Sequence, residues 1–352
     1  MRGTRGAEFS VETFATTAAL PSDALTLLDQ ADGIFASRTW WNVVLSHAMP
    51  AGAQAVFMAI RSGQQILALL PMLLTAGRLQ SLTTPYSCEY TPLVAVGLAP
   101  ATRIGAMVAF ARACRRFGIV RLDAIPAEWS GLAELEAGVR NAGLCSLRFD
   151  HFGNWYEDVA GLDWAAYLQR RPGALRETVR RRSRRAAALP DARFDLLTQP
   201  TEMDRAVTAF KSVYRRSWKD VEPFPRFNAA LMQGMADQGL LRLGVWSIGA
   251  EAVAVQFWVV KDGAAIVLKL AHDDAYKAHS PGTVLTALML RHLLDTEHVG
   301  RIDFGRGDDT YKQGWATQRR QRIGLLLVNP WRVTGAIALL RHAGGRVRAA
   351  LS

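Results

Sequence analysis

Short apolar runs separated by turn residues dominate the first part of the chain. Residues 54–60 and 65–74 flank Ser62-Gly63 and read as a hairpin. Residues 78–83 and 93–96 are further strand candidates, parted by the polar stretch 84–90. At Pro100 the spacing changes: Ile104, Met107, Val108 and Ala111 share one face, as on a helix that opens with proline. A strand over 119–125, a helix over 131–142 and a strand over 144–149 follow.

The order recurs downstream. Residues 193–198 read as a strand, and 201–218 and 227–238 as helices. A hairpin over 241–246 and 252–260 turns at Ile248-Gly249-Ala250. Next come a strand (264–272), a helix (281–297), a strand (301–305), a short helix (309–317) and a last strand (322–328). Two halves of strand meander followed by helix crossover predict a duplicated α+β fold.

Between the halves, residues 163–189 carry a narrow apolar line of Trp164, Leu168, Leu175, Val179 and Ala186. Arg170, Arg171, Arg176 and Arg180 to Arg185, save Ser183, fill the other faces, so this segment is expected at the surface, joining the halves. Asp163 is placed to cap its first helix, and Pro190 ends it.

With 352 residues, half of them hydrophobic, the chain is long enough for two ordinary cores. The longest apolar run, 66–74, contains Pro71 and falls short of the roughly 18–20 residues that span a bilayer, so it reads as a buried strand. Arg2 and Arg5 are followed by Glu8, Glu12 and Thr13, which interrupt any signal-peptide core, and a cytoplasmic location is expected, with peripheral contact at the inner membrane face as an option. Three scattered cysteines and seven scattered histidines form neither a disulfide framework nor a metal motif, so no metal is expected. The 42 basic against 31 acidic residues leave +11, which favours an acidic partner such as a CoA-type molecule, an acidic carrier protein, tRNA or an anionic membrane.

Candidate chemistry gathers between Lys269 and Trp315. Ser280-Pro281-Gly282 places a hydroxyl at a helix cap, a ring where no amide is needed, and a glycine allowing close approach. Unpaired amides and the helix dipole suit a phosphate there, with Lys269, Lys277, His279 and Thr283 as further donor-binding candidates. In IDFGRGDDTYKQGW (302–315), Asp303 is expected to face away from the core. Gly305 and Gly307 allow a sharp exit, and Asp308 and Asp309 would cap a helix presenting Tyr311, Lys312 and Trp315. Gln256, within an apolar strand, needs a partner: a ligand or a neighbouring group. Glu89, between Tyr86 and Tyr90, is a general-base candidate if its aromatic neighbours raise its pKa; a solvated loop acid is the plainer reading. Trp40-Trp41 reads most simply as core.

These features resemble the GNAT superfamily, in its FemAB-like or CelD-like acetyltransferase branch. The likeness rests on the arginine-rich helix, strands 252–260 and 264–272, YKAHSPGTVL (276–285) and IDFGRGDDTYKQGW. It implies two tandem GNAT-like domains, each a central mixed sheet flanked by helices, at 1–160 and 191–330. The arginine-rich helix (161–190) joins them and an amphipathic tail follows at 331–352. It also implies an acyl-CoA site, acetyl-CoA first, at 269–285, where two splayed parallel strands admit the donor. The usual Q/R-x-x-G-x-G/A phosphate loop is replaced by His279-Ser280-Pro281-Gly282, which opens a carrier-protein thioester or an aminoacyl-tRNA as donors beside CoA.

The leading expectation is an acyltransferase working by direct attack of a small or envelope-linked amine or hydroxyl. Catalytic candidates are Glu89, Asp308, Tyr311 and Lys312, and Gln256, Asp303 and Trp315 would contact substrate. Two alternatives stand beside it. One is tRNA-dependent aminoacyl transfer, with Arg170 to Arg185 on phosphates. The other is a non-enzymatic basic scaffold, with Ile337, Leu339, Leu340, Arg341, Arg346 and Arg348 on an anionic surface.

Overall fold

The computed structural model describes residues 8–351, with side chains described as far as residue 343. Arg2, Arg5 and the side chains of Arg346 and Arg348 lie outside that range. The chain forms two compact units, Met1–Phe152 with Gln321–Ser352, and Gly153–Arg320.

In the first unit, strands Phe9–Phe14, Gln54–Ser62, Gln65–Thr75 and Arg78–Ser81 form an antiparallel meander. Helix Pro100–Cys114 then crosses to strand Ile119–Pro126, which runs parallel to Arg78–Ser81. Residues 322–328 pair antiparallel on its other side. Gln65–Thr75 is buried from Ile66 to Leu73, which explains its unbroken apolar run: both faces are covered. Helix Arg38–His47 buries Trp40 and Trp41 in the core.

The second unit repeats this order. Strands Ala192–Leu197, Leu241–Ile248, Glu251–Lys261 and Ala264–His272 form the meander, and helices Met203–Arg215 and Phe227–Ala236 follow its first strand. Helix Pro281–Asp295 crosses to strand Arg301–Arg306, parallel to Ala264–His272. Residues 154–158 complete this sheet on the far side. Leu285, Met289, Leu290 and Leu293 form the helix's fully buried face, and they need close approach: a Cβ on Gly244 would lie 2.3 Å from the Met289 sulfur. The duplicated α+β architecture is therefore present.

Helices Trp164–Gln169 and Gly173–Ala187 belong to the second unit, where Tyr167, Val179 and Ala186 join its core. The Asp163 carboxylate caps the first by accepting from Ala166 N at 2.7 Å. Arg171 departs from the exposed position expected of it. It is 4% exposed, ion-paired with Glu157, and donates to the Trp315 carbonyl at 3.0 Å. Burial alone would raise the Glu157 pKa, but hydrogen bonds from Arg171 and Thr317 outweigh it and hold the carboxyl low. Strand Phe9–Phe14 and helix Ser22–Asp29 escaped the periodicity reading, and the helix expected over 309–317 shrinks to Lys312–Trp315.

Candidate functional site

Strands Ala264–His272 and Arg301–Arg306 pair only at Ala264–Arg301, Ala265–Ile302 and Ile266–Asp303. Beyond that the ladder ends, although both strands continue. A cleft of about 400 Å³ opens there, lined by Leu270 and His272 from the strand and by Pro281, Gly282, Thr283 and Thr286 from the crossover helix. Trp218, Tyr311 and Trp315 line its remaining walls.

The helix start differs from the expected cap. Ser280 adopts φ +53° and its hydroxyl makes no capping bond, because its amide is already closing the preceding turn on the Lys277 carbonyl at 2.9 Å. Val284 N bonds the Ser280 carbonyl at 3.1 Å and Pro281 has no N–H. The amides of Gly282 and Thr283 are thus the helix-start donors without intrahelical partners, backed by a 15-residue dipole. Lys277 lines the cleft and pairs with Asp274 at 3.0 Å. His279 is not among the lining residues; its ring stands 6.2 Å from that of Tyr276. Arg182 donates to the Ala278 carbonyl at 2.8 Å, tying the arginine-rich helix to this loop.

His272, passed over in the sequence, is the titratable group best placed for proton transfer. Its ring lies 4.4 Å from Trp218, and its Nδ1 is 3.4 Å from the Asp273 carbonyl. Partial burial, helped by Lys277, lowers its pKa, against the opposing pull of that carbonyl and of Asp274. The imidazole is therefore neutral near pH 7. A proton assigned to Nδ1, facing the carbonyl, leaves Nε2 to accept one. Burial of the Tyr311 hydroxyl, with Asp309 nearby, pushes its phenol up, so Tyr311 stays protonated.

Most of the other sequence candidates serve the scaffold. Asp308 does not cap the short helix. Its carboxylate accepts from Gly153 N (3.1 Å), Trp155 Nε1 (3.0 Å) and both Arg319 Nε (2.7 Å) and Nη2 (2.8 Å). Arg319 holds its pKa below the usual range, which makes it a poor base. Asp309 instead pairs with Lys312 at 3.1 Å. Lys312 is 2% exposed and donates to the Arg306 and Gly307 carbonyls at 2.6 and 3.1 Å, pinning the exit that Gly305 (φ +67°) and Gly307 (φ +100°) make. Asp303, expected to face outward, is 6% exposed because both faces of its strand are covered. It accepts from Asn154 and Gly305 N at 2.7 Å each and pairs with Arg320. Gln256 bridges Thr286 Oγ1 (2.7 Å) and Trp258 Nε1 (2.8 Å), fixing the threonine that lines the cleft. Lys269 pairs with Glu222 at 2.6 Å. Glu89 lies in the first unit and meets a guanidinium: Arg322, 1% exposed at its side chain, stands 2.8 Å from it. Of the predicted residues, Lys277, Ser280, Gly282, Thr283, Tyr311 and Trp315 come together around the cleft. Among the described residues, no group of three or more His, Cys, Asp or Glu is placed to hold a metal ion.

Residues 173–313 match the family model of the acetyltransferase (GNAT) domain. The matched segment lies within the second unit. No curated protein matches the chain by sequence. Among solved structures, it resembles FemX (TM-score 0.57, 8% identity, 90% of this chain and 98% of that one). It also resembles the C-terminal domain of a putative lysylphosphatidylglycerol synthetase from Agrobacterium fabrum (0.56, 13%, 90% and 94%). A tandem GNAT protein from the clavulanic acid biosynthesis pathway is a third likeness (0.52, 13%, 91% and 98%). At these identities the likeness is one of fold, and it extends the tandem GNAT architecture over most of the chain. Fold and matched segment together support a transferase. Among the described residues, no helix is long and apolar enough to cross a membrane.

Proposed function

We propose that the chain transfers an acyl group, acetyl first, from CoA or a carrier thioester to an amine or hydroxyl, with envelope or polysaccharide precursors as the acceptor class. The observation that carries this is the cleft where the two parallel strands part, with unpaired helix-start amides on one side and a neutral imidazole on another. The Gly282 and Thr283 amides and Lys277 would hold the donor's phosphates. The acceptor's nucleophile attacks the thioester carbonyl while His272 Nε2 takes its proton. The C–S bond then breaks, the Tyr311 phenol donates a hydrogen bond to the departing thiolate, and the proton taken by His272 is returned to the thiolate or to solvent. Trp218 and Trp315 cover the thioester from water.

A second reading has its own observation. Arg170, Arg180, Arg181, Arg184 and Arg185 are exposed around helix Gly173–Ala187, a surface suited to tRNA phosphates and hence to aminoacyl transfer. Thermal unfolding with acetyl-CoA, a long-chain acyl-CoA, acyl-carrier protein and bulk tRNA, at low and moderate salt, separates the two. Acetyl-CoA at a hundredfold excess over Kd should stabilise the chain by about 2.7 kcal/mol. Stabilisation by tRNA alone, lost as salt rises, would transfer the assignment to the second reading. Indifference to all four would leave a basic scaffold.

A further inference from the structure

A second cavity of about 490 Å³ lies in the same unit, between helices Met203–Arg215 and Phe227–Ala236 and the loop that joins them. Its volume suits a small-molecule site. Val207, Phe210, Ala229 and Met232 give it an apolar wall. Lys211, Arg215 and Lys219 also line it, against the acids Asp220 and Glu222, of which Glu222 is already paired with Lys269. The balance is cationic.

Two further observations single this cavity out. Asn228 is 5% exposed and lines it, yet its side-chain amide makes no hydrogen bond to another described residue. That amide is open to the cavity, where water or a polar group on a ligand can meet it. The joining loop also presents apolar side chains to solvent: Val221, which lines the cavity, is 89% exposed and Trp218 is 49% exposed. Trp218 lines the first cleft and its neighbour Lys219 lines the second, so the two cavities adjoin at one peptide unit.

We propose that the second cavity holds the apolar tail of an anionic amphiphile, the acyl acceptor, whose charged end meets Lys211, Arg215 and Lys219. Asn228 bonds a neutral polar group of the same molecule, an amide, ester or hydroxyl. The nucleophile reaches past Trp218 towards His272. The role as acceptor rests on the acyl-transfer reading, whereas the binding does not. The binding needs only an apolar slot, a cationic mouth and one amide open to the cavity.

Calorimetric titration of the full chain with hexyl, octyl and decyl phosphate, each below its aggregation concentration, tests this. Affinity should rise about fourfold per added methylene, and inorganic phosphate should show no saturable binding. Met232→Trp and the milder Ala229→Leu, which fill the slot, should weaken decyl phosphate at least tenfold and about threefold respectively, while both variants bind acetyl-CoA as the parent does. Asn228→Leu should weaken N-decanoylglycine, which carries an amide, about tenfold and leave decyl phosphate nearly unchanged. Equal affinity across the three chain lengths, or unaffected binding in both filled variants, overturns the proposal. Displacement of decyl phosphate by acetyl-CoA overturns it too, since the cavity would then belong to the donor. Tail-dependent binding in a chain that ignores every thioester would remove the acceptor role and the acyl-transfer reading together, leaving a lipid-binding cavity.

Discussion

At the scale of single residues, His272 separates the proposed chemistry from mere binding. Its pKa is lowered by burial and by Lys277, so the basic form dominates above the ordinary histidine value of 6.5. A general base works deprotonated. Activity should therefore be flat above about pH 6.5 and fall as pH drops through the lowered pKa, with the limb below the ordinary histidine range. His272→Gln should lower kcat by about 10²–10⁴-fold, remove that limb, and leave acetyl-CoA binding nearly intact. An unchanged pH–rate profile in the variant would exclude the role. The sequence concealed this residue because a histidine at a strand end looks like a boundary. The Trp218 ring beside it comes from 54 positions upstream in the numbering, through tertiary packing. The acids that looked chemical turned out to be engaged. Asp308 collects four hydrogen bonds, and Asp303 is buried with Arg320. A polar cluster after a strand has the same composition whether it meets substrate or holds a loop. Only hydrogen-bond saturation separates the two.

At the scale of elements, the start of helix Pro281–Asp295 sets the donor side of the cleft. A Cβ built on Gly282 would stand 3.2 Å from His272 Cδ2, so the glycine lets helix and strand close on each other. Gly282→Val, with two further methyl groups, should push the imidazole aside and crowd the amides. Acetyl-CoA affinity should fall about tenfold and kcat with it, while stability changes by less than about 1 kcal/mol, because a second helical position tolerates either residue. Urea unfolding beside calorimetry would show the split, and a proportionate loss of stability would mean the glycine serves packing alone. The strand–helix–strand order here was legible from periodicity, and the parting of the strands followed from the family resemblance. The cap was not legible: Ser-Pro-Gly reads as a hydroxyl cap, yet the 3₁₀ turn before it commits the Ser280 backbone to the left-handed region. Local sequence lists the donors present but not which of two adjoining turns claims them.

At the scale of the molecule, the boundaries read from the sequence and the compact units of the fold part company at a strand. The stretch 322–328 follows the second meander in the chain, but it pairs with Ile119–Pro126 in the first unit. Residues 154–158, the end of a strand that begins at Cys145, pair with Arg301–Arg306 in the second. Periodicity identifies both strands and cannot say which edge either will join, because pairing is a long-range choice. The consequence is testable by truncation. A 191–330 fragment lacks residues 154–158, so Arg301–Arg306 has an open edge, and it carries 322–328 without its partner strand. It also loses Tyr167 and Val179 from the core, and it loses Arg171 and Glu157, which together brace Trp315 and Thr317. Unpaired edges and a core without its helical cover favour aggregation. A 153–320 fragment keeps the 154–158 pairing, Tyr167, Val179, Arg171 and Glu157, and does not carry 322–328. It should unfold in one cooperative transition by circular dichroism and retain acetyl-CoA stabilisation, whereas 191–330 should show no cooperative melt. A cooperative melt of 191–330 that matches 153–320 would mean that the flanking strand and the arginine-rich helices are dispensable to the second unit.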